Sequence, residues 1–151
     1  RNKDERVINY LKISAVYFFI MTCFLILTWP GVWRANEFVI INNVVNFHID
    51  IWQNYLTSMF YILCLMLMPF VSGIIIIQNL CISLIVGYVI YKIYYYTDKS
   101  KFSFFMYIPF LMLPIIDQNL YPIRNSIYGY LELLFLFKIL FLKYNNFNLC
   151  I

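Results

Sequence analysis

The residues able to do chemistry are few and clustered. The stretch TWPGVWRANEFVIINNVVNFHIDIWQN, from Thr28 to Asn54, holds Arg34, Glu37, the single histidine His48, Asp50 and Gln53 between runs that are almost wholly apolar. Carboxylates such as Glu37 and Asp50 can take up a proton or hold a cation. An arginine such as Arg34 binds phosphate oxygens through its planar fork. A second polar segment, Asp117-Gln118-Asn119-Leu120-Tyr121-Pro122-Ile123-Arg124-Asn125, again pairs a carboxylate with an arginine. At one membrane face, an acid and a phosphate clamp suit chemistry on a lipid-linked phosphate.

Each residue also has a plainer role. Arg34 and Glu37 are three apart, the spacing of an exposed helical ion pair that contributes little. Asp50 and Gln53 fall on a polar helical stripe that water alone can satisfy, and His48 falls on the apolar side. Asp117 can cap a helix, and Arg124 can reach back to lipid headgroups. Glu132, eight residues past Arg124 in an apolar run, lies about 12 Å deeper along a helix. An acid there is costly and ordinarily faces the bundle interior, where the alternatives are simple packing and a substrate channel. One histidine with no cysteine partner does not make a zinc site. Cys23, Cys64, Cys81 and Cys150 form no ligand pattern and read as small apolar fillers.

Positioning these groups falls to apolar helices. Of 151 residues, 64% are hydrophobic and only 12% charged, against about 25% charged in a soluble domain, and the mean hydropathy is +0.78. This is the composition of an all-α integral membrane protein. A net charge of +4 implies no nucleic-acid partner; its weight lies in where the charges sit. The abundance of Ile, Asn, Lys, Tyr and Phe also suggests an AT-rich genome. No signal-peptide cleavage site follows the first apolar run, and the start at Arg1 and the ending NNFNLCI suggest a piece of a longer protein.

Four spanning helices are expected, at about 13–29, 74–91, 102–120 and 126–142, in one domain. Arg1, Lys3, Arg6 and Lys12 before the first helix predict a cytoplasmic N-terminus. Residues 41–57 alternate polar and apolar positions at a helical period and predict an amphipathic helix lying in the interface. Residues 58–72, broken by Pro69, predict a juxtamembrane helix that does not cross. A crossing there would put Lys92, Lys99 and Lys101 outside, against the charge rule. On this topology the segments 30–57 and 117–125 both face outward.

That order of features resembles the GT-C superfamily of membrane glycosyltransferases. The resemblance rests on Trp29-Pro30-Gly31-Val32-Trp33-Arg34-Ala35-Asn36-Glu37-Phe38 just past the first helix, and on Asp117 to Arg124 between the third and fourth. It covers nearly the whole chain, as the N-terminal part of such an enzyme. The family's first loop often carries Asp, sometimes paired acids, where this chain has Asn36-Glu37. The resemblance implies a bacterial plasma-membrane enzyme with external amphipathic helices. Such an enzyme would move a sugar from a polyprenyl-phosphate donor to a cell-surface glycan, lipid or protein. Glu37 and Asp117 would be its catalytic carboxylates, and Arg34, Arg124, Asp50 and Gln53 would bind substrate. A divalent metal ion is the one cofactor considered, and the partners are membrane lipid and the polyprenyl-linked sugar. The competing expectation is a non-catalytic multi-pass subunit or transporter fragment for polysaccharide assembly or export. Oligomeric state is left open.

Overall fold

The computed structural model describes residues 2–46, 55–96, 101–122 and 124–148. All regular structure among them is helical, and two helices are long and apolar enough to cross a membrane. The first, α1 (Asn2–Leu27), has 26 residues and is about 39 Å long. It buries Ile13, Tyr17, Met21 and Leu25, a four-residue repeat that keeps one stripe facing inward. After the turn at Thr28–Pro30 come α2 (Ala35–Val45) and α3 (Tyr55–Leu67). The central helix, α4 (Val71–Tyr96), buries residues around much of its circumference and packs against α1, α3 and α7. At the α1–α4 crossing Gly87 meets Ser14 so closely that a Cβ at Gly87 would overlap the serine side chain. Small residues at such a crossing let two backbones approach.

The two long helices run antiparallel. Ser14 lies beside Gly87 at one level, while at the other the Ser72 hydroxyl donates to the Pro30 carbonyl at 3.1 Å. That second end of the bundle also collects the later turn. Gln78, buried in α4, donates to the carbonyls of Asn119 at 3.2 Å and Tyr121 at 3.0 Å. The opposite end brings Tyr10 against Tyr91, with ring centroids 6.0 Å apart, and Tyr94 against Phe104 at 5.8 Å.

Three expected elements differ. Residues 102–120 are not one helix. The chain runs as a 3-10 turn (Lys101–Met106), α5 (Tyr107–Phe110), a break, and α6 (Leu113–Asn119). Pro109 and Pro114 each remove an amide from the helical ladder, Met112 is extended with φ −66° and ψ 139°, and Pro114 sits in the first turn of α6, where proline is favoured. The amphipathic helix expected at 41–57 instead begins at Ala35 and ends at Val45. Asn46 turns its side-chain amide back to the Asn42 carbonyl at 2.8 Å, the local bonding by which asparagine competes with helix. Residues 47–54, with His48, Asp50 and Gln53, lie outside the described residues. The apolar stretch expected at 58–72 is α3, only 13 residues and about 20 Å long, followed by a break at Met68–Phe70. The last helix, α7 (Arg124–Asn148), is 25 residues long. It runs back along α4, bringing Phe141 to Tyr96 with centroids 5.8 Å apart.

Candidate functional site

Arg34 and Glu37 are positioned by the start of α2. Arg34 is the extended N-cap residue, and the Glu37 amide closes the first turn on the Arg34 carbonyl at 3.1 Å. A glutamate in the first turn complements the helix dipole. Glu37 also begins the inward stripe of α2, with Ile40, Ile41 and Val44 at the next helical spacings; Val44 is buried and the isoleucines half-buried. The carboxylate is therefore carried inward by the same periodicity that buries the apolar side chains. It is 8% exposed, so the exposed ion pair considered for Arg34 and Glu37 does not describe it.

The group that meets this carboxylate comes from the second polar segment. Tyr121, 6% exposed, donates its hydroxyl to Glu37 Oε2 at 2.8 Å. The exposed Arg34 guanidinium lies over the same ring, its Cζ 4.8 Å from the centroid, within cation–π range. Burial, and then the hydrogen bond to the negative carboxylate, push the Tyr121 hydroxyl up to about 12, with Arg34 acting the other way. Tyr121 thus stays a neutral donor at physiological pH. Tyr61 of α3 lies close by; its hydroxyl is raised by burial and by the charge of Glu37 and donates to the Pro122 carbonyl.

Backbone contacts fix the two segments together. The Val32 amide donates to the Leu120 carbonyl at 3.2 Å. Gly31 has φ +111°, and a Cβ there would run into Ile75 Cδ1 and come 3.3 Å from the Leu120 carbonyl oxygen. Only glycine accepts both the dihedral and the closeness. Beneath the turn, buried Asn119 donates through Nδ2 to the hydroxyls of Tyr17 at 3.1 Å and Tyr130 at 2.9 Å. An open groove of about 300 Å³ lies beside this network, lined in part by Phe110, Gln118, Ser126 and Leu133.

The other candidates fare differently. Asp117 is exposed on α6, and no described interaction joins it to Glu37. The Arg124 backbone begins α7, and its side chain lies outside the described set. Glu132 is exposed rather than turned into the bundle. Among the described residues no three His, Cys, Asp or Glu side chains gather closely enough to share an ion.

Tyr121, Tyr61, Gln78 and Asn119 escaped the sequence reading. One signal was present, because Gln78-Asn79 interrupts an otherwise apolar helix and polar groups there normally have a task. Comparison with known protein families, with curated proteins and with solved structures gave no match.

Proposed function

We propose that the chain is part of a membrane-embedded glycosyltransferase that moves a sugar from a polyprenyl-phosphate donor, as its resemblance to the GT-C superfamily implies. The observation that carries the reading is the Arg34–Tyr121–Glu37 cluster, in which an acid and a guanidinium from one polar segment meet a hydroxyl donor from the other. In this chemistry the acceptor hydroxyl attacks the anomeric carbon, forming the new glycosidic bond. The bond from that carbon to the phosphate oxygen breaks, releasing polyprenyl phosphate. Glu37 takes the acceptor's proton. A carboxylate within hydrogen-bond reach is what such a base requires, and the Tyr121 bond to Oε2 orients it while leaving further acceptor capacity. Arg34 is exposed, and its planar fork suits a phosphate.

The proposed topology has four passes, made by α1, α4, the broken segment 101–120 and α7, with the N-terminus cytoplasmic and the cluster external. Two features support it. Arg6, Lys92 and Lys101 belong to the end of the bundle opposite the cluster, as the charge rule favours for a cytoplasmic side. At about 20 Å, α3 is shorter than the roughly 30 Å apolar core it would have to cross.

A second reading, a non-catalytic membrane subunit, draws on the same bond. A buried Glu37 held by Tyr121 also ties two loops together. Purified full-length protein in detergent, supplied with a polyprenyl-phosphate hexose and candidate acceptors, tests the enzyme reading. The expected result is sugar transfer, with Arg34→Lys raising KM for the donor because the lysine lacks the planar fork. Absence of transfer from any lipid-linked sugar by the wild type contradicts it.

A further inference from the structure

The turn that carries Tyr121 is held by its backbone. Residues 119–122, where α6 ends and the chain turns toward α7, are all buried. A buried loop has carbonyls that water cannot reach, and each must find a donor within the protein. Here all four do, and every donor comes from outside the turn. The carbonyls of Asn119 and Tyr121 both accept from Gln78 Nε2, at 3.2 Å and 3.0 Å. The Leu120 carbonyl between them accepts the Val32 amide at 3.2 Å, and the Pro122 carbonyl accepts the Tyr61 hydroxyl.

Within this set Gln78 acts as a clamp. A primary amide carries two N–H donors on one nitrogen, so one side chain bridges two carbonyls that are two residues apart. The bridge spans Leu120 and ends on Tyr121 itself. Gln78 is 1% exposed and lies in an apolar helix, where a polar side chain is costly unless it is paired. Its neighbour Asn79 is equally buried, yet neither its amide nitrogen nor its amide oxygen has a hydrogen-bond partner. The two residues therefore separate the burial of an amide in α4 from the hold on the turn. The Tyr121 side chain carries that hold onward, because its hydroxyl donates to Glu37 Oε2 at 2.8 Å.

We propose that Gln78 is a positioning residue for the Glu37 carboxylate. By fixing the backbone on both sides of Leu120 it sets where the Tyr121 hydroxyl lies, and through that hydroxyl how the carboxylate is oriented. The consequence for turnover rests on the transfer reading proposed above; the consequence for the Tyr121–Glu37 bond does not.

The test uses the whole protein in mixed micelles. Gln78→Met keeps the length of the side chain and removes both donors. The first readout needs no substrate: the coupling between Tyr121→Phe and Glu37→Leu, measured by unfolding in the wild-type and the Gln78→Met backgrounds. The coupling should fall by roughly half or more in the second. Asn79→Leu should leave it unchanged, because that amide holds nothing. The second readout is sugar transfer. Gln78→Met should lower kcat by roughly 10- to 100-fold, the scale of a misplaced catalytic group, and leave KM for the donor unchanged. If Gln78→Met does not fold, Gln78→Asn, one methylene too short to bridge both carbonyls, takes its place in both readouts. A protein that is only less stable, with coupling and kcat intact, overturns the proposal, as does an equal loss of coupling in Asn79→Leu. Loss of coupling in a protein whose wild type transfers no sugar upholds the positioning role and contradicts the transfer reading alone.

Discussion

Replacing Glu37 and Tyr121 singly and together measures the bond on which the two polar segments converge. The hydroxyl lies 2.8 Å from Oε2, and both residues are almost wholly buried. A hydrogen bond to a charged group contributes about 1.5–3 kcal/mol. Removing only the donor also leaves a buried carboxylate short of a partner. Tyr121→Phe keeps the ring under Arg34 and hence the cation–π contact, so its cost isolates the hydroxyl. Glu37→Leu removes the acceptor at similar volume. Each single variant should lower stability, Tyr121→Phe by about 2 kcal/mol, and the double variant should cost about 2 kcal/mol less than the sum of the singles. The assay is reversible unfolding of the purified protein in mixed micelles. Additivity within about 0.5 kcal/mol, the scatter of independent sites, would refute the reasoning and leave the two segments as neighbours without a bond between them.

Two further predictions concern the frame around this bond. Gly31→Ala should destabilise by about 1–3 kcal/mol, the scale of a residue forced into an unfavourable backbone region, because its dihedral and its contacts with Ile75 and Leu120 both exclude a methyl group; the unfolding midpoint checks this. For topology, in a cysteine-free background an impermeant thiol reagent added to intact cells should label Phe70→Cys and leave Lys101→Cys untouched until the membrane is opened. Both positions are exposed in the structure. The reverse pattern would contradict the proposed orientation.

The long helices were legible because their signal is local. The apolar runs that announced spans at 13–29 and 74–91 became α1, which starts earlier at Asn2 and stops at Leu27, and α4, which is longer at both ends. Pro109 and Pro114 were visible too, but only the structure revealed that the chain between them breaks instead of bending. Periodicity found helix near residue 41 yet misplaced its ends, since Asn46 stops α2 with a bond to its own previous turn. The cluster was half legible. Glu37 and Arg34 stood out as charges in an apolar chain, and Glu37 shares the helical stripe of Ile40, Ile41 and Val44, which is the mark of burial. Its partner, Tyr121, is 84 residues away, and nothing local in a chain with 14 tyrosines distinguishes the one that meets an acid. Gln78 was missed for a related reason, because its partners are backbone carbonyls, which leave no trace in residue types.

The central claim is that the Glu37 carboxylate acts as a base in sugar transfer rather than only tying two loops together. Turnover of a polyprenyl-phosphate sugar by the full-length protein, wild type beside Glu37→Gln, tests it most directly when the unfolding midpoint is measured on the same samples. The amide can still accept the Tyr121 hydroxyl, so the fold should survive, while the lost basicity should lower turnover by roughly 100-fold or more. A folded Glu37→Gln protein that transfers sugar at the wild-type rate would contradict the claim.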